Sequence, residues 1–242
     1  MKNIRFSLLL TIGLALGLLP ISSTRLWAQT PGAQTPGAQT LPWDSTSRPG
    51  NFKAKLLEFK ADPITKKDYV FLGNSITAGV NWSQLLDLPQ AKNRGISGDI
   101  TFGVLERLDE VIAGKPAKLF VLIGINDISK NIPDSVILGN YNKLISRVRK
   151  GSKKTQIYFY TLLPVNASFE RFKNHYGKDD HILWLNAEIK KLQAKKVEVI
   201  DLYPHFLDEQ NRLKAELTKD GLHLIPSGYK VWAEVLKNGK YL

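Results

Sequence analysis

The feature that most constrains this chain is an alternation that runs from residue 69 to residue 236. Short, continuously apolar runs are separated by longer segments that are apolar on one side only. YVFL at 69–72, LFVLI at 119–123, QIYFYT at 156–161 and VEVI at 197–200 are the short runs, and a further one is expected to end near Asn93. Unbroken runs of this length, unlike period-two alternation, suit strands covered on both faces. Between them, Val104, Leu105, Leu108, Val111 and Ile112 recur at a helical period. So do Val136, Tyr141, Leu144, Ile145 and Val148, then Ile182, Leu185, Ile189 and Leu192, and finally Val231, Trp232, Val235 and Leu236. Strands alternating with amphipathic helices imply a parallel sheet between two helical layers, an α/β/α sandwich. In such open sheets ligands bind beyond the carboxyl ends of the strands. That edge is where chemistry should be sought.

The start of the chain reads differently. Lys2 and Arg5 precede an apolar run at 6–19, and a polar stretch leads to a small residue, Ala28. This is the layout of a secretory signal peptide over residues 1–28. An uncleaved anchor is the alternative, but the apolar run falls short of the roughly 20 residues that a membrane span needs. Secretion or export to a periplasm is therefore expected, with no integral membrane segment once the signal is removed. Residues 29–50 open with a repeated Ala-Gln-Thr-Pro-Gly sequence. That composition buries too little apolar surface to offset its ordering entropy. A flexible linker is expected over 29–50, with packed structure beginning after Trp43 and a single domain over 51–242.

The 242 residues include no cysteine, which excludes disulfides, thiol nucleophiles and cysteine-based zinc sites. The formal charge is +12, and three of the cations lie in the first 28 residues. A basic surface favours anionic partners, although lysines scattered over helices equally suit a solvated face. No basic-aromatic block points to nucleic acid.

Four short blocks at strand ends carry candidate chemistry. In GNSIT at 73–77, Ser75 stands at a strand-to-helix turn, where its hydroxyl reaches the sheet edge and its N–H is free to face an oxyanion. Taken alone, Asn-Ser there suits an ordinary helix cap equally well. In DGLH at 220–223, His223 can serve as the base that a serine hydroxyl needs, and Asp220 can fix its tautomer. Gly98 in GISGD and Asn126 in GIND can offer a backbone and a side-chain N–H, though both also fit turns. Of the remaining histidines, His205 reads as structural, and His175 and His181 as surface residues of a polar stretch.

Together, GNSIT, NRGISGD, GIND and DGLH resemble, in order, the four blocks of the SGNH (GDSL-like) hydrolase family, and the wording of the second is closest to its acetylhydrolase and acetylesterase branch. The resemblance runs from about residue 68 to 236. It implies a flavodoxin-like parallel sheet and a Ser75–His223–Asp220 triad. It also implies an oxyanion hole from the Ser75 and Gly98 amides and the Asn126 side chain, with no metal and no organic cofactor. One departure stands out: the family's first block usually reads Gly-Asp-Ser, and here Asn74 replaces the acid.

The expected activity is a serine esterase acting on short acyl groups, acetyl first. No long insertion suggests a deep lipid tunnel, and an exported enzyme points to carbohydrate esters such as acetylated sugars or sialic acid. The polar segment 166–180, with Arg171 and His175, is expected to form one wall of the site. Trp82 offers either a face for a sugar ring or a half-buried core position. A lysophospholipase or thioesterase on the same site, and a non-catalytic glycan-binding module, are the alternatives.

Overall fold

The computed structural model describes residues 43–242. The expected signal peptide, 1–28, and linker residues 29–42 lie outside the described residues. Five parallel strands form one sheet: β1 (Tyr69–Gly73), β2 (Ala91–Gly95), β3 (Lys118–Leu122), β4 (Gln156–Tyr160) and β5 (Val197–Ile200). The helices are α1 (Phe52–Ala61), α2 (Ser75–Ala78), α3 (Trp82–Leu86), α4 (Thr101–Glu106), α5 (Leu108–Gly114), α6 (Ile125–Ser129), α7 (Asp134–Gly151), α8 (Asp179–Lys190) and α9 (Pro226–Asn238). The strand order is β2-β1-β3-β4-β5, the flavodoxin-like order. Its direction of growth reverses between β1 and β3, which opens a crevice beyond their carboxyl ends.

Residues at matching register build each face of the sheet. Phe71, Phe120 and Tyr158 lie side by side on β1, β3 and β4, with ring centroids 4.7 and 4.8 Å apart. Trp82 of α3 stacks on Phe71 at 4.2 Å and meets Trp232 of α9 edge-on. One layer therefore comprises α3 and α9, which also contact each other. Phe159, the next residue along β4, points to the opposite face and packs edge-on against Tyr141 of α7. There α4, α5, α7 and α8 form a contiguous second layer. No helix among the described residues is long and apolar enough to cross a membrane.

Two local expectations are corrected. The stripe at 104–112 is not one helix: it breaks at Arg107, whose side chain turns inward (below). The expected linker also ends sooner than residue 50. Trp43 stacks on Phe102 at 5.8 Å, and Arg48 reaches Glu106 at 2.7 Å and the Ser45 and Ser47 carbonyls, so 43–50 lie packed on the domain. An aromatic side chain and the half-buried stem of Arg48 supply the apolar area that the preceding Pro-Gly repeat lacks.

Candidate active site

The first block sits where β1 meets α2. A Cβ on Gly95 would collide with Ala78 and with the Asn74 carbonyl, so only glycine lets the end of β2 lie against this turn. Asn74 is the N-cap of α2. Its Oδ1 accepts from the Ile76 N–H at 3.0 Å, and its Nδ2 is buried without an acceptor among the described residues. Asparagine thus retains the capping half of the usual aspartate's role. Asn74→Ala is expected to lower stability by about 1 kcal/mol through loss of that cap, read as a fall in the urea midpoint at unchanged m.

Ser75 is the first residue of α2, and its Oγ lies 2.9 Å from His223 Nε2. The His223 Nδ1–H donates to Asp220 Oδ2 at 2.9 Å, which leaves the Nε2 lone pair facing the serine. Asp220 shapes its own loop as well: Oδ1 accepts the N–H groups of Leu222 (3.1 Å) and His223 (2.7 Å). Gly221, at φ +79° and with the Asn166 carbonyl against its α-carbon, closes a turn that a side chain would obstruct. Burial raises the Asp220 carboxyl, but the His223 N–H and imidazole outweigh it and hold the acid below its ordinary range. The acid therefore stays ionised and able to stabilise an imidazolium.

Three donors surround this relay. The Ser75 and Gly98 N–H groups have no acceptor among the described residues. Asn126, beyond β3, gives one Nδ2–H to the Asp99 carbonyl at 2.9 Å, leaving the other without an acceptor among the described residues. The arrangement can activate a hydroxyl and receive a developing oxyanion, which is what acyl transfer requires.

Residues that the sequence reading passed over hold these blocks together. Arg107 is fully buried and donates to Asp99 (2.9 Å), to the Arg94 carbonyl at the end of β2 (2.8 Å) and to the Gly73 carbonyl before the serine turn (2.9 Å). Asp127 accepts from the N–H and hydroxyl of Thr101 at the start of α4, while burial pushes its carboxyl up to about 7. Both were legible as oddities: an arginine within a buried helical stripe, and an acid beside Asn126 in the otherwise apolar turn after β3.

Two depressions, of about 490 and 600 Å³, meet at Ser75 and His223. Arg171, exposed, lines the smaller with Lys219, and Lys130 lines the larger. His175 lines the larger depression as well, but its Nε2 lies 3.1 Å from Asn126 Oδ1 and so faces the oxyanion site. Burial, helped by His223, Lys178 and Lys130, lowers its pKa to about 4, so the ring is neutral. Trp82 is no sugar platform: at 1 % exposure it lies under α9, with its Nε1–H on the Thr77 carbonyl. Phe71 of β1 and Tyr229 and Trp232 of α9 enclose its ring. His181 is exposed and paired with Asp134, and His205 is also exposed.

The chain is similar to several proteins of known structure. Among solved structures, a protein from Streptococcus pneumonia described as a platelet activating factor is 30% identical, with a TM-score of 0.71 over 78% of this chain and 91% of that one. A GDSL-like lipase from Bacteroides thetaiotaomicron is 27% identical (TM-score 0.67; 79% and 98% covered). An acylhydrolase from Bacteroides fragilis is 25% identical (TM-score 0.68; 80% and 97% covered). No curated protein matches. The GDSL-like Lipase/Acylhydrolase family matches residues 71–231, a span that holds all four blocks. With that match and the flavodoxin-like sheet, the chain belongs to the GDSL-like lipase/acylhydrolase family, the SGNH hydrolases.

Proposed function

We propose that this protein is a secreted or periplasmic serine esterase that removes short acyl groups, acetyl first, from carbohydrate esters, including anionic sugars such as sialic acid. The observation that carries the reading is the continuous relay Ser75 Oγ–His223–Asp220, opening on three N–H groups without acceptors among the described residues.

The reaction follows from that geometry. As Ser75 Oγ attacks the ester carbonyl, its proton passes to His223 Nε2, and Asp220 stabilises the imidazolium. The carbonyl oxygen gains negative charge between the Ser75 and Gly98 N–H groups and the free Nδ2–H of Asn126. Collapse expels the alcohol, which takes the proton from Nε2 and leaves an acyl-serine. Water then attacks that ester, giving its proton to His223, and the second collapse returns the proton to Ser75 and frees the acid.

Substrate class rests on the walls. The depressions are mixed in character, with Phe172, Leu222 and Leu224 set among serine, lysine, arginine and histidine side chains. Short acyl groups fit such a wall better than long chains. Lys130, Arg171 and Lys219 make no ion pair with any described residue, while Asp220, the lining acid, is engaged by His223. An anionic substrate suits that balance.

Two measurements test the proposal. Hydrolysis of p-nitrophenyl esters is expected to fall from acetate to decanoate; a rise with length would favour the lysophospholipase or thioesterase reading. Arg171→Glu is expected to raise KM several-fold for acetylated anionic sugars and to leave neutral ones unchanged. Equal KM changes for both would remove anion recognition from this side chain.

A further inference from the structure

Asn126 has two hydrogen-bonding ends, and the structure determines which way each points. The Asp99 carbonyl can only accept, so the atom 2.9 Å from it must be the amide nitrogen. Asn126 Oδ1 then faces His175 Nε2 at 3.1 Å. Two lone pairs at that distance would repel, so the proton of the neutral His175 ring sits on Nε2. The ring's other nitrogen, Nδ1, is buried without a partner among the described residues, a tolerable state for a lone pair and a costly one for an N–H. The chain Asp99 carbonyl, Asn126 amide, His175 Nε2–H is therefore consistent in only one arrangement.

The segment carrying His175 is itself anchored on both sides of the site. The Tyr176 hydroxyl donates to the Asp220 carbonyl at 2.9 Å and accepts from the Phe172 N–H at 3.2 Å. Lys178 Nζ donates to the Ile128 carbonyl (2.8 Å) and Asn131 Oδ1 (2.6 Å), beyond the Asn126 turn. Phe172 stands edge-on to both imidazoles, with centroids 5.0 Å from His223 and 5.8 Å from His175.

We propose that His175 is the positioning residue of the oxyanion site: its Nε2–H holds the Asn126 carboxamide so that the second Nδ2–H stays available to the developing oxyanion. The catalytic part of this rests on the hydrolase reading above. Without the histidine, Oδ1 has no donor and the amide is held by one bond instead of two. Donation to Oδ1 also polarises the amide and strengthens its N–H as a donor. A neutral ring performs this without opposing the charge that His223 acquires during the reaction.

The test pairs two substitutions with a double-mutant cycle. His175→Phe keeps a ring of similar shape and removes the donor. It is expected to lower kcat for p-nitrophenyl acetate by about 10- to 100-fold, the scale of a misplaced catalytic group, with KM little changed. His175→Gln places an N–H near the Nε2 position and is expected to recover most of that loss. In an Asn126→Ala background, His175→Phe is expected to cost almost nothing further. A full additional loss there, or no rescue by glutamine, would overturn the proposal. Long-range 1H–15N spectra of the wild type read the tautomer without any turnover. An Nε2–H tautomer of the neutral His175 ring is expected, and an Nδ1–H tautomer would refute the hydrogen bond. Should the wild type hydrolyse no ester, the hydrolase reading fails, and the spectra alone decide whether His175 holds Asn126.

Discussion

Ser75→Ala is expected to lower kcat for p-nitrophenyl acetate by about 10⁴–10⁶-fold and to abolish labelling by a fluorophosphonate, while the melting temperature stays unchanged. The size follows from the unity of the relay. The hydroxyl proton has one acceptor among the described residues, His223 Nε2 at 2.9 Å, and the imidazole is oriented by Asp220 at 2.9 Å. Removing Oγ removes the nucleophile outright and leaves the oxyanion donors with only water-attack chemistry to assist. Stability is spared because Ser75 is the first residue of α2, its side chain makes no other hydrogen bond to a described residue, and the helix is capped by Asn74. Wild-type labelling together with undiminished hydrolysis by the variant would place the nucleophile elsewhere. Absence of labelling in a folded wild type would favour a non-catalytic glycan-binding module.

Asn126→Ala carries the second largest effect, a loss of about 10²–10³ in kcat with KM nearly constant. An oxyanion exists only once the carbonyl has been attacked, so a donor reserved for it stabilises the transition state and contributes little to binding the ground state. The same substitution removes the Asn126–Asp99 hydrogen bond, so a stability loss of about 1 kcal/mol should accompany it. The two effects separate experimentally: at a temperature where circular dichroism shows the variant fully folded, the kcat loss should persist. A variant with near-normal kcat would remove Asn126 from the oxyanion site.

How much of the site was legible follows from how each residue acts. Ser75, Gly98, Asn126, Asp220 and His223 each stand at or near the end of a short element, in turns whose chemistry is local. A glycine at positive φ or an aspartate capping its own loop leaves its mark within a few residues of sequence. Trp82 shows the opposite case. Its helix is only five residues long, too short for periodicity to say which side is buried, and besides Phe71 the rings that cover it, Tyr229 and Trp232, come from α9 near the other end of the domain. His175 was harder still, since its partner lies 49 residues away and nothing in its polar neighbourhood signals burial.

By itself, the sequence determined the layered architecture and the edge at which chemistry gathers. Both follow from hydrophobic periodicity and from turn residues, which act over a handful of neighbours. It also singled out Ser75, His223 and Asp220 as candidates, because the resemblance binds four blocks into one ordered set. Only the tertiary structure decided what holds those blocks in register: the buried Arg107 on the ends of β1 and β2 and on the Asp99 loop, Asp127 on the start of α4, and His175 on Asn126. It alone showed residues 47–49 lining the larger depression beside Ser75. The physical reason is that a buried polar group must find a partner wherever the fold brings one. That partner is chosen by proximity in space, which a one-dimensional pattern does not record.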